Sequence, residues 1–256
     1  MDRIELKEDC RYFYGDRPCK FYWEGYLCKD CKYYEKEKEK IKLVNNILPH
    51  REGINRILII KRGALGDVLR TTPLVTGLKE KYPNSYITWL VDVGALAFIK
   101  NNKLIDEIKL YDDLEDLEDE EFDLAINLDK DKEGCMLMHK IRAVKKVGYG
   151  LNEYGKIVPL NKETEYHYIM CLDNFGRKRE NKKSYQEMLF DITGIPYNRE
   201  RYVLDLDKGE LDFANEFKKK HRLENKIVVG FNTGCGPVYP HKKLTIEGFV
   251  ELANRL

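Results

Sequence analysis

The chain has 256 residues, of which 43% are hydrophobic and 35% charged, and its formal net charge is +1. That length is long for one α/β domain and short for two full ones, and the composition is that of a soluble globular protein with a sizeable core. The balanced charge offers no global attraction for nucleic acid. No apolar run approaches the ~18–20 residues that span a bilayer, and the opening MDRIELKEDC lacks the apolar stretch of a signal peptide. A cytoplasmic location is therefore the default expectation.

Residues 1–42 read as a cysteine- and aromatic-rich head with a charged tail. Cys10, Cys19, Cys28 and Cys31 fall within 22 residues, separated by eight, eight and two residues. The CKDC pair has zinc-ligand spacing, and a segment too small for its own core is a natural place for a structural metal. An iron–sulfur cluster is the alternative, since four thiolates serve both, and redox cycling of CKDC is a third reading. The tail, KYYEKEKEKIK (residues 32–42), reads as a solvated spacer or helix. Cys135, Cys171 and Cys235 are isolated in sequence and read as buried or incidental.

From residue 54 the pattern alternates strand and helix. Residues 56–61 form strand one, with the apolar run Ile57, Leu58, Ile59 and Ile60 buried on both faces. A loop with Gly63 and Gly66 follows, and residues 67–82 are helical, with Pro73 predicting a kink or restart. Strands are expected at 85–91, 107–111, 122–128 and 145–148, and helices at 95–101 and 134–142. The stretch 112–123 carries nine carboxylates in twelve positions and matches no calcium loop; it reads as a solvated, partly helical face. This βα alternation predicts a Rossmann-like parallel sheet with helices on both faces, over residues 54–205. Residues 165–193 are expected to be mostly helical, stopped by Gly194, Ile195 and Pro196, and residues 199–207 extended. A second α/β unit begins at 209: a helix at 211–221, a strand at 226–232, a loop, and a helix at 245–256. One strand cannot bury both its faces, so this second domain (209–256) is expected to be incomplete.

Asp67 stands where the first helix begins, at the carboxyl edge of the sheet, where open α/β folds bind ligands. It reads either as a helix N-cap or as a general base. Arg62 and Arg70 flank the same edge and could meet an acidic ligand, though single arginines are commonly surface charges. The loop has neither GxGxxG nor GxxxxGK[ST], which argues against a nucleotide cradle there. Downstream, Asn232, Thr233, Gly234 and Gly236 follow an apolar run and Lys242 precedes a helix. That set can offer N–H groups, a hydroxyl and an ammonium to a pyrophosphate; the bland alternative is an exposed loop.

Three segments together resemble glycosyltransferase family 9, the ADP-heptose:lipopolysaccharide heptosyltransferase family. They are ILIIKRGALGDVLRTTP at 57–73, KKVGYG at 145–150, and VVGFNTGCGPVYPHKKLTIEGFVELANRL at 228–256. Where the family carries Lys-Arg-Trp-Pro, this chain has Lys242, Lys243, Leu244 and Thr245. The resemblance implies the GT-B architecture of two Rossmann-like domains. It implies an inverting, metal-independent transfer of sugar from a nucleotide-diphosphate donor to a saccharide or lipid-linked acceptor, in lipopolysaccharide and cell-envelope biosynthesis. It places Asp67 as base, Gly66, Arg62 and Arg70 on the acceptor side, and Asn232, Thr233, Gly234 and Lys242 on the donor. Peripheral contact with the inner face of the membrane is a further expectation, and no nucleic-acid partner is expected. The rival reading is a non-catalytic Rossmann-like binding protein whose metal-stapled head recruits a partner.

Overall fold

The computed structural model describes residues 5–21, 28–112, 114, 117–173, 180–234 and 243–256. The chain divides into two compact units, Met1–Asp205 and Leu206–Leu256. Among the described residues, no helix is long and apolar enough to cross a membrane.

The first unit is built on a six-stranded sheet of order β3-β2-β1-β4-β5-β6. Its strands are β1 (Arg56–Ile60), β2 (Tyr86–Val91), β3 (Glu107–Leu110), β4 (Glu121–Asn127), β5 (Arg142–Leu151) and β6 (Ile157–Pro159). β1 pairs in parallel with both β2 and β4, β2 with β3, and β4 with β5; only β6 runs antiparallel, against β5. Strand alternation sends Ile57 and Ile59 into the core on one face and Leu58 and Ile60 into the core on the other. All four are fully buried, at about 1.5–3 kcal/mol each for an aliphatic side chain. This is why an unbroken apolar run, and not an alternating one, marks the central strand.

Among the described residues, four α-helices cover the sheet or close its end: α1 (Leu65–Lys81), α2 (Lys132–Lys140), α3 (Glu165–Leu172) and α4 (Tyr185–Thr193). Residues of α1 and α4 share one core cluster, and Leu137 and Met138 of α2 belong to the other. The kink or restart predicted at Pro73 is not found, since α1 runs unbroken through it. Proline removes the N–H that would reach the carbonyl of Leu69. The hydroxyl of Thr72 donates to that carbonyl instead, at 2.8 Å. Thr72 Oγ1 then accepts from the N–H of Val203, tying the chain after α4 back to α1. At the far end of α4 the predicted stop holds: Gly194 takes the left-handed conformation, φ +70°.

Other boundaries differ from expectation. The helix predicted at 95–101 is a 3₁₀ segment, Val93–Phe98, and the short strand predicted at 145–148 is the ten-residue β5. Among the described residues of the acidic stretch none is helical; Asp112, Glu118 and Asp119 are exposed, as expected, and several of its carboxylates are held in pairs. Glu120 and Glu121 pair with Arg56 and with Arg51 and Arg142 respectively, Glu118 pairs with Lys140, and Asp123 accepts the N–H groups of Asn55 and Arg56.

The head is not a separate module. Its described parts dock on the β5–β6 end of the sheet, and Cys10 and Phe13 are buried in the main core. Ile157 N–H donates to Tyr14 O, and Asn152 Nδ2 to Glu8 O. Gly15, at φ +89°, presses so close that an added Cβ would lie 1.9 Å from Ile157 O. The charged tail is not a free spacer either: Lys40 pairs with Glu153, and Glu37 with the buried Lys156.

The second unit contains α5 (Lys208–Lys220) and α6 (Ile246–Arg255), neither of which buries a residue. The strand expected at 226–232 is not formed. Those residues pair with no strand among the described residues, and Ile227, Val228 and Val229 stand exposed. A strand exists through its neighbour's hydrogen bonds, and none is supplied among the described residues.

Candidate active site

β1 and β4 are adjacent and parallel, yet the chain leaves β1 toward β2 on one side and leaves β4 toward β5 on the other. The loops diverge, and a crevice opens at the carboxyl ends of the two strands. It is a cavity of about 370 Å³ lined by Lys61, Arg62 and Gly63 after β1, Asp92 after β2, and Asp129, Lys130 and Asp131 after β4.

The crevice floor is an ordered charge network. Lys61 Nζ donates to Asp129 Oδ1 at 2.5 Å, both groups being buried, and the N–H of Arg62 donates to the other oxygen of Asp129. Burial pushes the Asp129 carboxyl above its ordinary range, while Lys61 and the Arg62 N–H pull it down. The Arg62 guanidinium bonds Asp92 at 3.0 Å and Asp131 at 3.1 Å and lies 3.4 Å from the centre of the Tyr111 ring. Asp131 also caps α2 by accepting from Gly134 N–H. Arg62, expected at an acceptor, thus joins the loops after three strands.

Asp67 lies on the rim of this sheet edge, in the first turn of α1. The N-cap of α1 is Ala64, which makes no side-chain cap bond, so the capping reading of Asp67 does not hold. Its carboxylate is 41% exposed and accepts from Arg70 Nη1 at 3.3 Å. A Cβ added to Gly66 would meet nothing within 4 Å, so no packing in the protein requires glycine there, and space beside Asp67 is open. Arg70 in turn stacks 4.0 Å from the centre of the Tyr185 ring. Burial raises the Tyr185 hydroxyl well above its usual pKa, and the Asp67 and Asp129 carboxylates add to this.

Behind this rim lies an aromatic wall. Tyr149 OH and His167 Nδ1 are 2.9 Å apart, and the His167 and Tyr185 rings meet edge to face with centroids 5.8 Å apart. Burial, with Lys130, Lys61 and Arg70 nearby, lowers the His167 pKa to about 3. Lys130 bonds Cys171 and lies 5.8 Å from the Tyr149 ring centre. Cys135 is fully buried, with its thiol pushed far up by desolvation, as expected of a structural cysteine.

KKVGYG also acquires a physical reason. Gly148 has φ +93°, and a Cβ there would lie 1.9 Å from Asn127 O. Asn127 is buried, donates from Nδ2 to Tyr149 O, and accepts the Asp129 N–H. Gly148 therefore lets β5 approach the β4 terminus that carries Asp129. Lys61, Asp129, Lys130, Asp131 and Tyr185 escaped the sequence reading. The signal for three of them was present in DKD, the polar run directly after the apolar β4.

In the second unit, Asn232, Thr233 and Gly234 are exposed, with Asn232 Oδ1 accepting from Gly234 N–H at 3.2 Å. Lys242, Gly236 and Cys235 lie outside the described residues. In the head, Cys10, Cys19, Cys28 and Cys31 line one small cavity and carry free thiols. Burial raises the Cys28 thiol, and Cys19, Cys31 and Cys10 are among the groups acting on it.

No family model matches the chain. A curated relative is the lipopolysaccharide core heptosyltransferase OpsX of Haemophilus influenzae, 24% identical over 216 residues, which cover 79% of this chain and 57% of that protein. Among solved structures, a glycosyl transferase family 9 protein from Veillonella parvula superposes with a TM-score of 0.60 at 21% identity, over 80% of this chain and 61% of that one. Over that span the chain shares the fold of this family 9 protein. The E. coli ADP-heptose lps heptosyltransferase II shares it, with a TM-score of 0.50 at 17% identity over 78% of this chain and 60% of that one. The chain therefore spans about three fifths of the length of these family 9 and heptosyltransferase relatives.

Proposed function

We propose that this chain is the acceptor-side part, with the beginning of the donor side, of an inverting, metal-independent glycosyltransferase acting on a nucleotide-diphosphate sugar. The observation that carries the proposal is the Asp67 carboxylate: it is exposed, is not used as a helix cap, and stands beside Gly66, where space is open. In the proposed reaction Asp67 takes the proton of the attacking acceptor hydroxyl as its oxygen displaces the diphosphate from the far side of the anomeric carbon. Inversion follows from that single displacement. Arg70 holds Asp67 from one side and is itself steadied on the Tyr185 ring.

On the donor side, Asn232, Thr233, Gly234 and Lys242 supply N–H groups, a hydroxyl and an ammonium for the departing diphosphate, which is the work a divalent cation would otherwise do. The acceptor is a saccharide or a lipid-linked saccharide of the lipopolysaccharide type, reached by peripheral contact with the membrane. The relatives' names support a heptose donor carried on ADP.

The test is a transfer assay with ADP-, GDP-, UDP- and dTDP-sugars, followed by Asp67→Asn with the donor that works. Loss of a positioned general base removes about 10²–10⁴-fold in rate. Asp67→Asn is expected to lose that much in kcat with donor binding unchanged. An Asp67→Asn protein retaining full transfer refutes the base. Absence of transfer from every donor favours the rival reading of a Rossmann-like binding protein.

A further inference from the structure

The head cysteines take no part in the proposed transfer. The cavity they share is small, about 20 Å³, which is room for one water-sized particle and not for a substrate. Four cysteines line it; among the described residues the rest of its wall is aromatic residues and Lys7, with no aspartate, glutamate or histidine. The rings are locked together: Phe21 stacks on Tyr33 with centroids 4.3 Å apart and meets Tyr12 edge-on at 5.0 Å. Thiolate-only donors select zinc or iron and disfavour the hard cations.

The backbone around the cavity is also built as a knuckle. Cys31 N–H reaches back to Cys28 O at 3.4 Å, and both Cys28 and Asp30 sit at positive φ, +35° and +53°. Two L-residues in the left-handed region within three positions is a costly turn for a free peptide. A bridge between Cys28 and Cys31 would hold it. Cations already stand at the rim: Lys7 lines the cavity, and Lys20 lies 4.5 Å from the Tyr12 ring centre and 4.8 Å from that of Phe21. A divalent ion with four thiolates carries two surplus negative charges, which such a rim would offset. As placed, no group of three or more His, Cys, Asp and Glu side chains among the described residues has the spacing to hold a metal ion. The shared cavity brings the thiols into one place, and side-chain rotation must bring them to ligating distance.

We propose that Cys10, Cys19, Cys28 and Cys31 close on one structural zinc ion, a clasp that fixes the head to the β5–β6 end of the sheet. Each thiol gives up its proton on binding, so zinc uptake releases protons. The clasp acts on the docking contacts already described, Tyr14 and Gly15 on Ile157 and Glu8 on Asn152. Removing the metal is expected to loosen residues 1–42 while leaving β1–β4 folded.

The test starts from metal analysis of the purified chain and its visible absorption. One zinc per chain is expected, with no colour. Titration with a mercurial thiol reagent in the presence of a zinc indicator is expected to release one zinc as four thiols react. Cobalt(II) added to the chelated chain should give the absorption of a tetrahedral tetrathiolate. Cys28→Ser/Cys31→Ser is expected to lose the zinc and become cleavable by protease within residues 1–42, whereas Cys171→Ser keeps one zinc. If the double variant does not fold, the cobalt spectrum of the unaltered chain decides. Stoichiometric iron with visible absorption, a Cys28–Cys31 disulfide in the mass spectrum, or freely reactive head thiols without bound metal each overturns the proposal.

Discussion

Residues 56–67 and 226–234 begin alike: one basic residue, an apolar run, and glycines close behind it. In the first, Ile57 to Ile60 are completely buried between β2 and β4. In the second, Ile227 is 97% exposed and no strand is paired. The apolar run states a capacity to be a strand. Whether it becomes one depends on neighbours that offer hydrogen bonds and cover both faces. The same contrast separates the loops that follow the two runs. The loop after β1 is held by an ion-pair network, while Asn232–Gly234 makes a local turn.

Glycine substitution should show this contrast most strongly. Gly148→Ala drives a Cβ into Asn127 O at positive φ, whereas a Cβ at Gly230 meets nothing within 4 Å. Gly148→Ala is expected to cost about 4 kcal/mol or more, at the exceptional end of single substitutions, and Gly230→Ala less than about 0.5 kcal/mol. Urea unfolding of both variants measures this, and equal costs would break the comparison.

Truncation of one apolar residue in each run comes next. Ile59→Ala removes a fully buried side chain from the central strand, which costs about 2–5 kcal/mol. Val229→Ala, at 53% exposure, should stay within about 0.5 kcal/mol. The midpoint in denaturant distinguishes them.

Acid should act through the first unit. The folded pKa of His167 is about 3, below the unfolded value of about 6.5. The unfolded chain therefore binds the extra proton between those values. His167's contribution to stability is complete above pH 6.5 and is lost as pH falls toward 3. The expected slope is up to about 1.4 kcal/mol per pH unit, read from unfolding curves at pH 7, 5.5 and 4. His167→Gln should flatten it. An unchanged slope would remove His167 as its source.

The smallest stability effect is expected at the rim. Arg70 and Asp67 are both about two-fifths exposed, so their pair contributes at most about 1 kcal/mol. Arg70→Ala should barely move the unfolding midpoint while lowering transfer. Stability and activity falling together would make Arg70 a structural residue.

Several elements were legible locally. The burial of Ile57–Ile60 in β1 and of Leu124–Asn127 in β4, the β-branched β2, and the stop at Gly194 are each written in a few adjacent residues. Asp67 was legible as a position at the carboxyl edge, but not in its state: only the placement of the N-cap at Ala64 freed it from capping. Thr72 shows the opposite limit. Proline predicts a break, and the neighbouring hydroxyl that prevents it becomes visible only once the helix exists.

The sequence by itself determined the parallel α/β class, the strand–loop–helix that carries Asp67, and the clustering of four cysteines. Periodicity, turn residues and spacing are properties of neighbours along the chain. Tertiary structure alone decided that Lys61 meets Asp129, that Arg62 binds Asp92 and Asp131, and that Arg70 lies on Tyr185. It also left 226–232 without a strand partner among the described residues. Those outcomes follow from strand order. Placing β4 beside β1 brings residues far apart in sequence to one sheet edge, where burial gives a charge pair its geometry and its strength.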